Sequence, residues 1–225
     1  MYSIILFDMD DTLFDFQKAQ EVSIKNTLIK NNIVYSDSIY ECYKKINHNL
    51  WIQFDQGKIT KDYVQTERFY QLSKRLNQEF DCERINYDYQ INLAKQTWLI
   101  RDAKKICIEL SKRYSLFIAT NGVGSTQKNR FYNSQIFPYF KDIFISEDIG
   151  FSKPNIEFFN AVFQKIDYSS KKDILLVGDS LTSDICGANK AGIDCCWYNP
   201  YGANPTNKYR MTYMISELRQ LLAIL

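Results

Sequence analysis

Histidine is almost missing from this chain: one residue of 225, His48. That excludes a two-histidine zinc motif, a multi-histidine metal site and a phosphohistidine relay between two histidines. Carboxylates, hydroxyls and lysines are left to do any chemistry. An excess of charge of one sign is also lacking. With 28 Lys+Arg against 26 Asp+Glu the net charge is +2, so no global field points to a nucleic-acid polymer or a membrane. Long apolar runs are absent, since Ile4-Ile5-Leu6-Phe7 and the five residues Leu221 to Leu225 fall far short of the roughly 18 to 20 residues of a membrane span. The N-terminus enters a strand-like run directly, without the basic stretch and long apolar segment of a signal peptide. A cytoplasmic protein is expected. The six cysteines include no C-x-x-C pair, and the adjacent Cys195 and Cys196 would point to opposite faces of a strand, so reduced, mostly buried thiols are expected. What is present is ordinary globular material. Apolar residues make up 45% and charged residues 24%, which excludes a disordered tail protein and leaves enough chain for one domain, or one domain carrying a large insertion.

Chain-breaking residues are unevenly spread. Before Asn121 there is a single glycine, Gly57, and no proline; all four prolines and the other seven glycines come later. From Phe16 to Trp98 apolar residues recur at helical spacing, as in Val22, Ile24, Leu28, Ile29, then Ile39, Tyr43, Ile46, Leu50, then Tyr63, Phe69, Leu72, Leu76. Three or four helices are predicted, broken near Asn31-Asn32, at Gln56-Gly57 and between Asn77 and Arg84. Outside that stretch, short apolar runs read as buried parallel strands: Ser3 to Phe7, Leu116 to Thr120, Asp142 to Ile145, Ile174 to Val177 and Cys195 to Tyr198. They alternate with helical segments at Ala103 to Arg113, Ser125 to Ser134, Asn155 to Lys165 and Ser183 to Ala191, the pattern of a doubly wound α/β sheet. Such sheets bind ligands at the carboxyl ends of their strands.

Four constellations fall at those ends. The first strand runs into Asp8-Met9-Asp10-Asp11-Thr12, where residues two apart on extended chain project to the same side, so Asp8 and Asp10 face one substrate. Asp11 is expected to serve as a turn or helix-start residue. The second strand ends in Thr120-Asn121-Gly122, a hydroxyl, a carboxamide and a flexible backbone N–H suited to a phosphate cradle, though also to an ordinary turn. After the third strand, Ser152-Lys153-Pro154 places a lysine just before a helix expected to begin at Asn155. The fourth ends in Gly178-Asp179-Ser180-Leu181-Thr182-Ser183-Asp184, two carboxylates five residues apart whose hard oxygens suit Mg²⁺. Each motif alone also reads as helix capping or surface lysine. Their conjunction, in order and with complementary charges, does not. Asp8, Asp10, Asp179 and Asp184 would bring four negative charges together; a divalent cation and Lys153 would offset them and admit a phosphate dianion.

Taken in order, D-x-D-x-T, the strand-terminal Thr, the Lys-Pro pair and G-D-x-x-x-x-D resemble the haloacid dehalogenase-like hydrolase superfamily. The resemblance implies an α/β fold: a Rossmann-like doubly wound parallel sheet core, residues 1–15 and 99–225, with an inserted helical-bundle cap domain, residues 16–98. It implies Asp8 as the nucleophile that forms an aspartyl-phosphate and Asp10 as the acid and then base. It implies Thr120, Asn121, Gly122 and Lys153 as phosphate-binding groups. The implied metal is Mg²⁺, with Mn²⁺ or Co²⁺ as alternatives, held by Asp8, the Asp10 backbone carbonyl, Asp179, and Asp184 through water. An acid at Asp10 points to phosphatases and phosphomutases. Asp10 to Asp15, Gly178 to Ile185 and Cys196 to Pro200 are further similar to bacterial pyrimidine 5'-nucleotidases of that superfamily. The expected partner is accordingly a small phosphomonoester, a nucleoside monophosphate, with no nucleic-acid polymer and no membrane, on a monomer or homodimer. A sugar phosphate or phosphoglycolate phosphatase and a β-phosphoglucomutase-like phosphomutase are the alternatives, and a non-catalytic binding protein on this fold is a remote one. Phe14, Phe16 or Trp51 could stack on a base or simply pack.

Overall fold

Left-handed backbone positions punctuate the helical segment. Asn32, Gly57 and Asn77 all have positive φ, a conformation that Gly and Asn adopt at little cost, so each ends a helix. In the computed structural model, which describes residues 2–205 and 207–225, the resulting helices are α1 (Phe16–Lys30), α2 (Asp37–Asp55), α3 (Lys61–Leu76) and α4 (Cys82–Ala94). Among the described residues the upper of the two predicted numbers, four, is thus the one found. Side-chain oxygens of Ser36, Thr60 and Asp81 accept the N–H groups of Ile39, Tyr63 and Arg84 and start α2, α3 and α4. Residues 17–96 form one compact unit. Its core holds Tyr43, Phe69 and Tyr89, with ring centroids 5.6 to 5.8 Å apart, and the buried Arg68 lies 4.5 Å from the Tyr89 ring centre. His48 is exposed on α2.

Residues 1–16 and 97–225 form the other unit. Among the described residues it has six strands, all parallel: β1 (Ile4–Phe7), β2 (Ser115–Thr120), β3 (Asp142–Ile145), β4 (Ile174–Gly178), β5 (Asp194–Tyr198) and β6 (Tyr213–Ile215), in the order β3-β2-β1-β4-β5-β6. The sequence reading missed β6. Three residues between a long loop and a short 3₁₀ turn carry too little alternation to show a period. The helices are α5 (Ala103–Ser111), α6 (Gly124–Tyr132), α7 (Ser146–Ile149), α8 (Ile156–Phe163), α9 (Cys186–Ala191) and α10 (Leu221–Ile224). Strand residues alternate between two cores. Ile5, Phe7, Ile118, Val177 and Cys196 pack with Ile106 and Leu110 of α5, Phe131 of α6 and Leu221 of α10. Ile4, Leu6, Ala119, Leu176, Cys195 and Trp197 pack with Phe158, Phe159 and Val162 of α8 and Ala188 and Ala191 of α9. The doubly wound sheet is therefore observed, and the two neighbouring cysteines do face opposite sides.

Some local expectations need correction. Asn155 is the N-cap of α8 and not its first residue, and the Lys153–Pro154 peptide before it is cis. A π-helical turn, Leu181–Ile185, precedes α9, so the helical segment begins earlier than Ser183. Cys107, Cys195 and Cys196 are buried, whereas Cys42, Cys82 and Cys186 are only partly so; among the described residues every cysteine is free. Phe14 is wholly buried in the first core and therefore cannot stack on a ligand. Among the described residues no helix is long and apolar enough to cross a membrane.

Candidate active site

The chain leaves β1 toward β2 and β3 on one side and returns to β4, β5 and β6 on the other, so the order reverses beside β1, where open α/β sheets bind ligands. Phe7 is level with Ile118 of β2 and Val177 of β4. Asp8, one residue on, therefore stands between the ends of two strands, and its N–H donates to the Val177 carbonyl at 2.8 Å.

Lys153 is the centre of the charged cluster. Its side chain is 1% exposed, and its Nζ donates to Asp8 Oδ1 at 2.6 Å, to Asp184 Oδ1 at 2.7 Å and to the Ala119 carbonyl at 2.6 Å. Three acceptors saturate an ammonium, which is what permits so deep a burial. Asp184 is wholly buried on the π-helical turn, and its Oδ2 accepts the Ser180 N–H at 3.0 Å. A Cβ at position 178 would lie 2.3 Å from that Oδ2, so Gly178 is required for Asp184 to approach the strand end. Asp179 accepts from Thr12 Oγ1 at 3.2 Å, and its backbone carbonyl accepts Trp197 Nε1–H at 2.8 Å.

Asp8, Asp179 and Asp184 each place a carboxylate oxygen so that the three lie within 4.8 Å of one another. One lysine does not balance three carboxylates, of which Asp8 and Asp184 are buried and Asp179 partly so. Burial, and after it the Asp184 carboxylate, push Asp8 up to about 8 against the pull of Lys153. Burial and then Asp8 and Asp184 push Asp179 well above the carboxylate range. Burial alone would lower the Lys153 ammonium; Asp184 and Asp8 more than reverse it. An all-oxygen donor set short of positive charge fits a divalent cation such as Mg²⁺.

Asp10 is not part of this cluster. Beyond Asp10 the chain turns through Asp11, at φ 56°. The Asp10 carboxylate has its own cation: Oδ1 accepts from Arg130 Nη1 at 2.5 Å and Oδ2 from Gln127 Nε2 at 2.8 Å. Asp10 still adds to the charge that raises Asp8, but it brings a cation of its own, Arg130, and Lys153 is left beside the other three carboxylates. Thr120 is buried, and its Oγ1 accepts from Gln127 Nε2 at 2.9 Å and from the Gly122 N–H at 3.2 Å. The Asn121 carboxamide is spent on the Lys153 backbone, donating to its carbonyl at 2.8 Å and accepting its N–H at 2.9 Å. It thus fastens the lysine loop to the end of β2. Gln127 and Arg130 escaped the sequence reading as polar residues on a helix. The signal was their spacing with Phe131, which puts all three on the buried side of α6.

Comparison with known proteins agrees with this architecture. Residues 5–198 match the model of the haloacid dehalogenase-like hydrolases. The chain is 41% identical to the HAD-hydrolase YfnB of Bacillus subtilis (strain 168), covering 100% of this chain and 95% of that one. A crystal structure of YfnB bound to magnesium superposes with a TM-score of 0.96, covering 100% of this chain and 98% of the other. Identity is 35% to the pyrimidine 5'-nucleotidase PynA of Streptococcus pneumoniae, covering 98% and 94%, and 27% to the pyrimidine 5'-nucleotidase YjjG of Escherichia coli, covering 98% and 96%. With its parallel sheet, its strand-terminal acids and its buried lysine, the chain belongs to the haloacid dehalogenase-like hydrolase family.

Proposed function

We propose that the protein is a Mg²⁺-dependent phosphomonoester hydrolase that acts through an aspartyl-phosphate on pyrimidine nucleoside 5'-monophosphates. The observation that carries the chemistry is the trio Asp8, Asp179 and Asp184 beside the buried Lys153, which is short of the charge that a divalent ion brings. The substrate class rests on the relationship to PynA and YjjG.

In this reading an Asp8 oxygen attacks phosphorus in line, forming a P–O bond as the bond to the ester oxygen breaks. Asp10, protonated when the substrate is bound although paired with Arg130 in the free protein, gives that proton to the departing alkoxide. It then takes a proton from the water that attacks phosphorus, the acyl-phosphate bond breaks, and inorganic phosphate leaves with Asp8 restored. The Thr120 hydroxyl and the Asn121 backbone amide hold the phosphoryl oxygens, joined by Lys153 and the Gly122 amide as each exchanges one of its present acceptors for the substrate. Asp8, Asp179, the Asp10 backbone carbonyl and Asp184, the last through water, would hold Mg²⁺, which when bound screens the charge of nucleophile and phosphate. The helical insertion, residues 16–98, is read as the cap that selects the leaving group.

The test is metal-dependent phosphate release from pyrimidine and purine 5'-monophosphates, 3'-monophosphates and small sugar phosphates. Release from dUMP, dTMP or UMP is expected to exceed that from sugar phosphates, and to vanish with EDTA or in Asp8→Asn. Preference for a sugar phosphate would discard the substrate class, and full activity in Asp8→Asn would discard the mechanism.

A further inference from the structure

Asp10 stands out for what holds it. Its own side chain is 27% exposed, whereas Arg130 is wholly buried and Gln127 is 1% exposed. Between them these two residues of α6 occupy both Asp10 oxygens. They also bond to each other, Arg130 Nη1 donating to Gln127 Oε1 at 3.0 Å, which closes a ring of three side chains. Gln127 Nε2 ties that ring to Thr120 Oγ1 at 2.9 Å. The guanidinium lies 5.2 Å from the Phe14 ring centre and 5.9 Å from that of Phe16, so its plane is fixed by packing as well as by hydrogen bonds. Gln127 is as tightly placed: a Cβ at position 122 would come within 2.4 Å of its Nε2.

A buried ion pair is a poor way to gain stability, because apolar side chains of the same size do as well or better, whereas it is a good way to set one geometry. A general acid needs such setting. It must present one oxygen within hydrogen-bond reach of the leaving group, and a carboxylate at a turn would otherwise rotate freely. Asp10 is also two residues from Asp8, close enough in sequence for a loose carboxylate to compete for the cation meant for Asp8, Asp179 and Asp184. We propose that Gln127 and Arg130 are positioning residues that fix the Asp10 carboxylate for proton transfer and keep it out of the metal cluster, Gln127 also steadying the Thr120 hydroxyl. The proposal rests on the phosphatase reading given above.

The experiment compares a nucleoside 5'-monophosphate, whose alkoxide leaves poorly, with p-nitrophenyl phosphate, whose phenolate leaves without help. Gln127→Met and Arg130→Met are made alone and with Asp10→Asn, and Arg130→Lys is added as the conservative replacement. General acid–base groups contribute about 10²- to 10⁴-fold, so losing the setting of one should lower kcat on the nucleotide by about 10- to 100-fold, with KM within about threefold. First-turnover release of p-nitrophenolate should stay within about threefold of the wild type, since that step needs no acid. On the Asp10→Asn background Arg130→Met should cost less than about twofold, because residues acting as a unit do not add. Arg130→Lys should recover part of the loss. Equal losses on both substrates in the first turnover, or an undiminished loss on the Asp10→Asn background, would mean that the pair merely supports the fold and would overturn the proposal. If Arg130→Met fails to fold, Arg130→Gln, compared on the same two substrates and on the Asp10→Asn background, decides in its place. Should Asp10→Asn keep wild-type turnover, the acid–base reading itself fails; should it lose activity while the Gln127 and Arg130 variants do not, only this inference falls.

Discussion

Lys153 shows how far one side chain can be committed. It is a lysine with almost no exposure, and its three donors meet two carboxylates and a carbonyl. Removing a charge from a buried pair costs more than the pair contributes, because the partner is left unpaired in low dielectric. Lys153→Met is therefore expected to destabilise the metal-free protein by about 3–5 kcal/mol at pH 9, where Asp8 is ionised. The loss should shrink toward pH 6, because Asp8, pushed up to about 8, is protonated there and needs no cation. Urea unfolding at the two pH values measures both effects. A loss below about 1 kcal/mol, the size of a surface pair, would show that the cluster is not held by this ion pair.

At the level of elements, the approach of the π-helical turn Leu181–Ile185 to the end of β4 decides whether Asp184 joins the cluster. Gly178 makes that approach possible, since an added methyl would overlap the Asp184 carboxylate at 2.3 Å. Gly178→Ala should push Asp184 away while leaving the sheet register intact, because β4 remains bonded to β1 and β5 on either side. The expected result is Mg²⁺ affinity weaker by about 10- to 100-fold, the usual cost of disturbing a group that supports a metal site. Calorimetric titration reads it directly, and unchanged affinity with an unchanged melting curve would refute the argument.

For the whole molecule the consequence is a linkage among pH, metal and stability. Asp8 ordinarily titrates at 3.8 and is raised to about 8 in the folded chain, so between those values the folded state binds protons that the unfolded state has released. Stability therefore falls as pH rises through this window, and Asp179, raised for the same reason of burial, adds to the slope. Lys153 is raised too, so its contribution stays intact across the window and is lost only at higher pH. A divalent cation binds the deprotonated carboxylates and removes the penalty. The metal-free protein should melt at lower temperature at pH 8 than at pH 5.5, and saturating Mg²⁺ should raise the melting temperature more at pH 8. A melting temperature that rises toward pH 8 without metal, or a Mg²⁺ shift independent of pH, would contradict this.

By itself the sequence determined the fold class and most of the elements. Five strands show as short apolar runs, and the helix breaks at Asn31-Asn32, Gln56-Gly57 and Asn77 show because Asn and Gly tolerate positive φ where other residues do not. It also brought Asp8, Asp179, Asp184 and Lys153 together, since each follows a strand and parallel strands align their carboxyl ends. Only the tertiary structure decided that Asp10 is neutralised by Arg130 and steadied by Gln127, that the Asn121 carboxamide holds the lysine loop, and that Phe14 is core. The physical reason is range. A period or a turn residue acts over a few neighbours, whereas the partner of a charge is whatever side chain the packing brings beside it, here 120 residues away in the sequence.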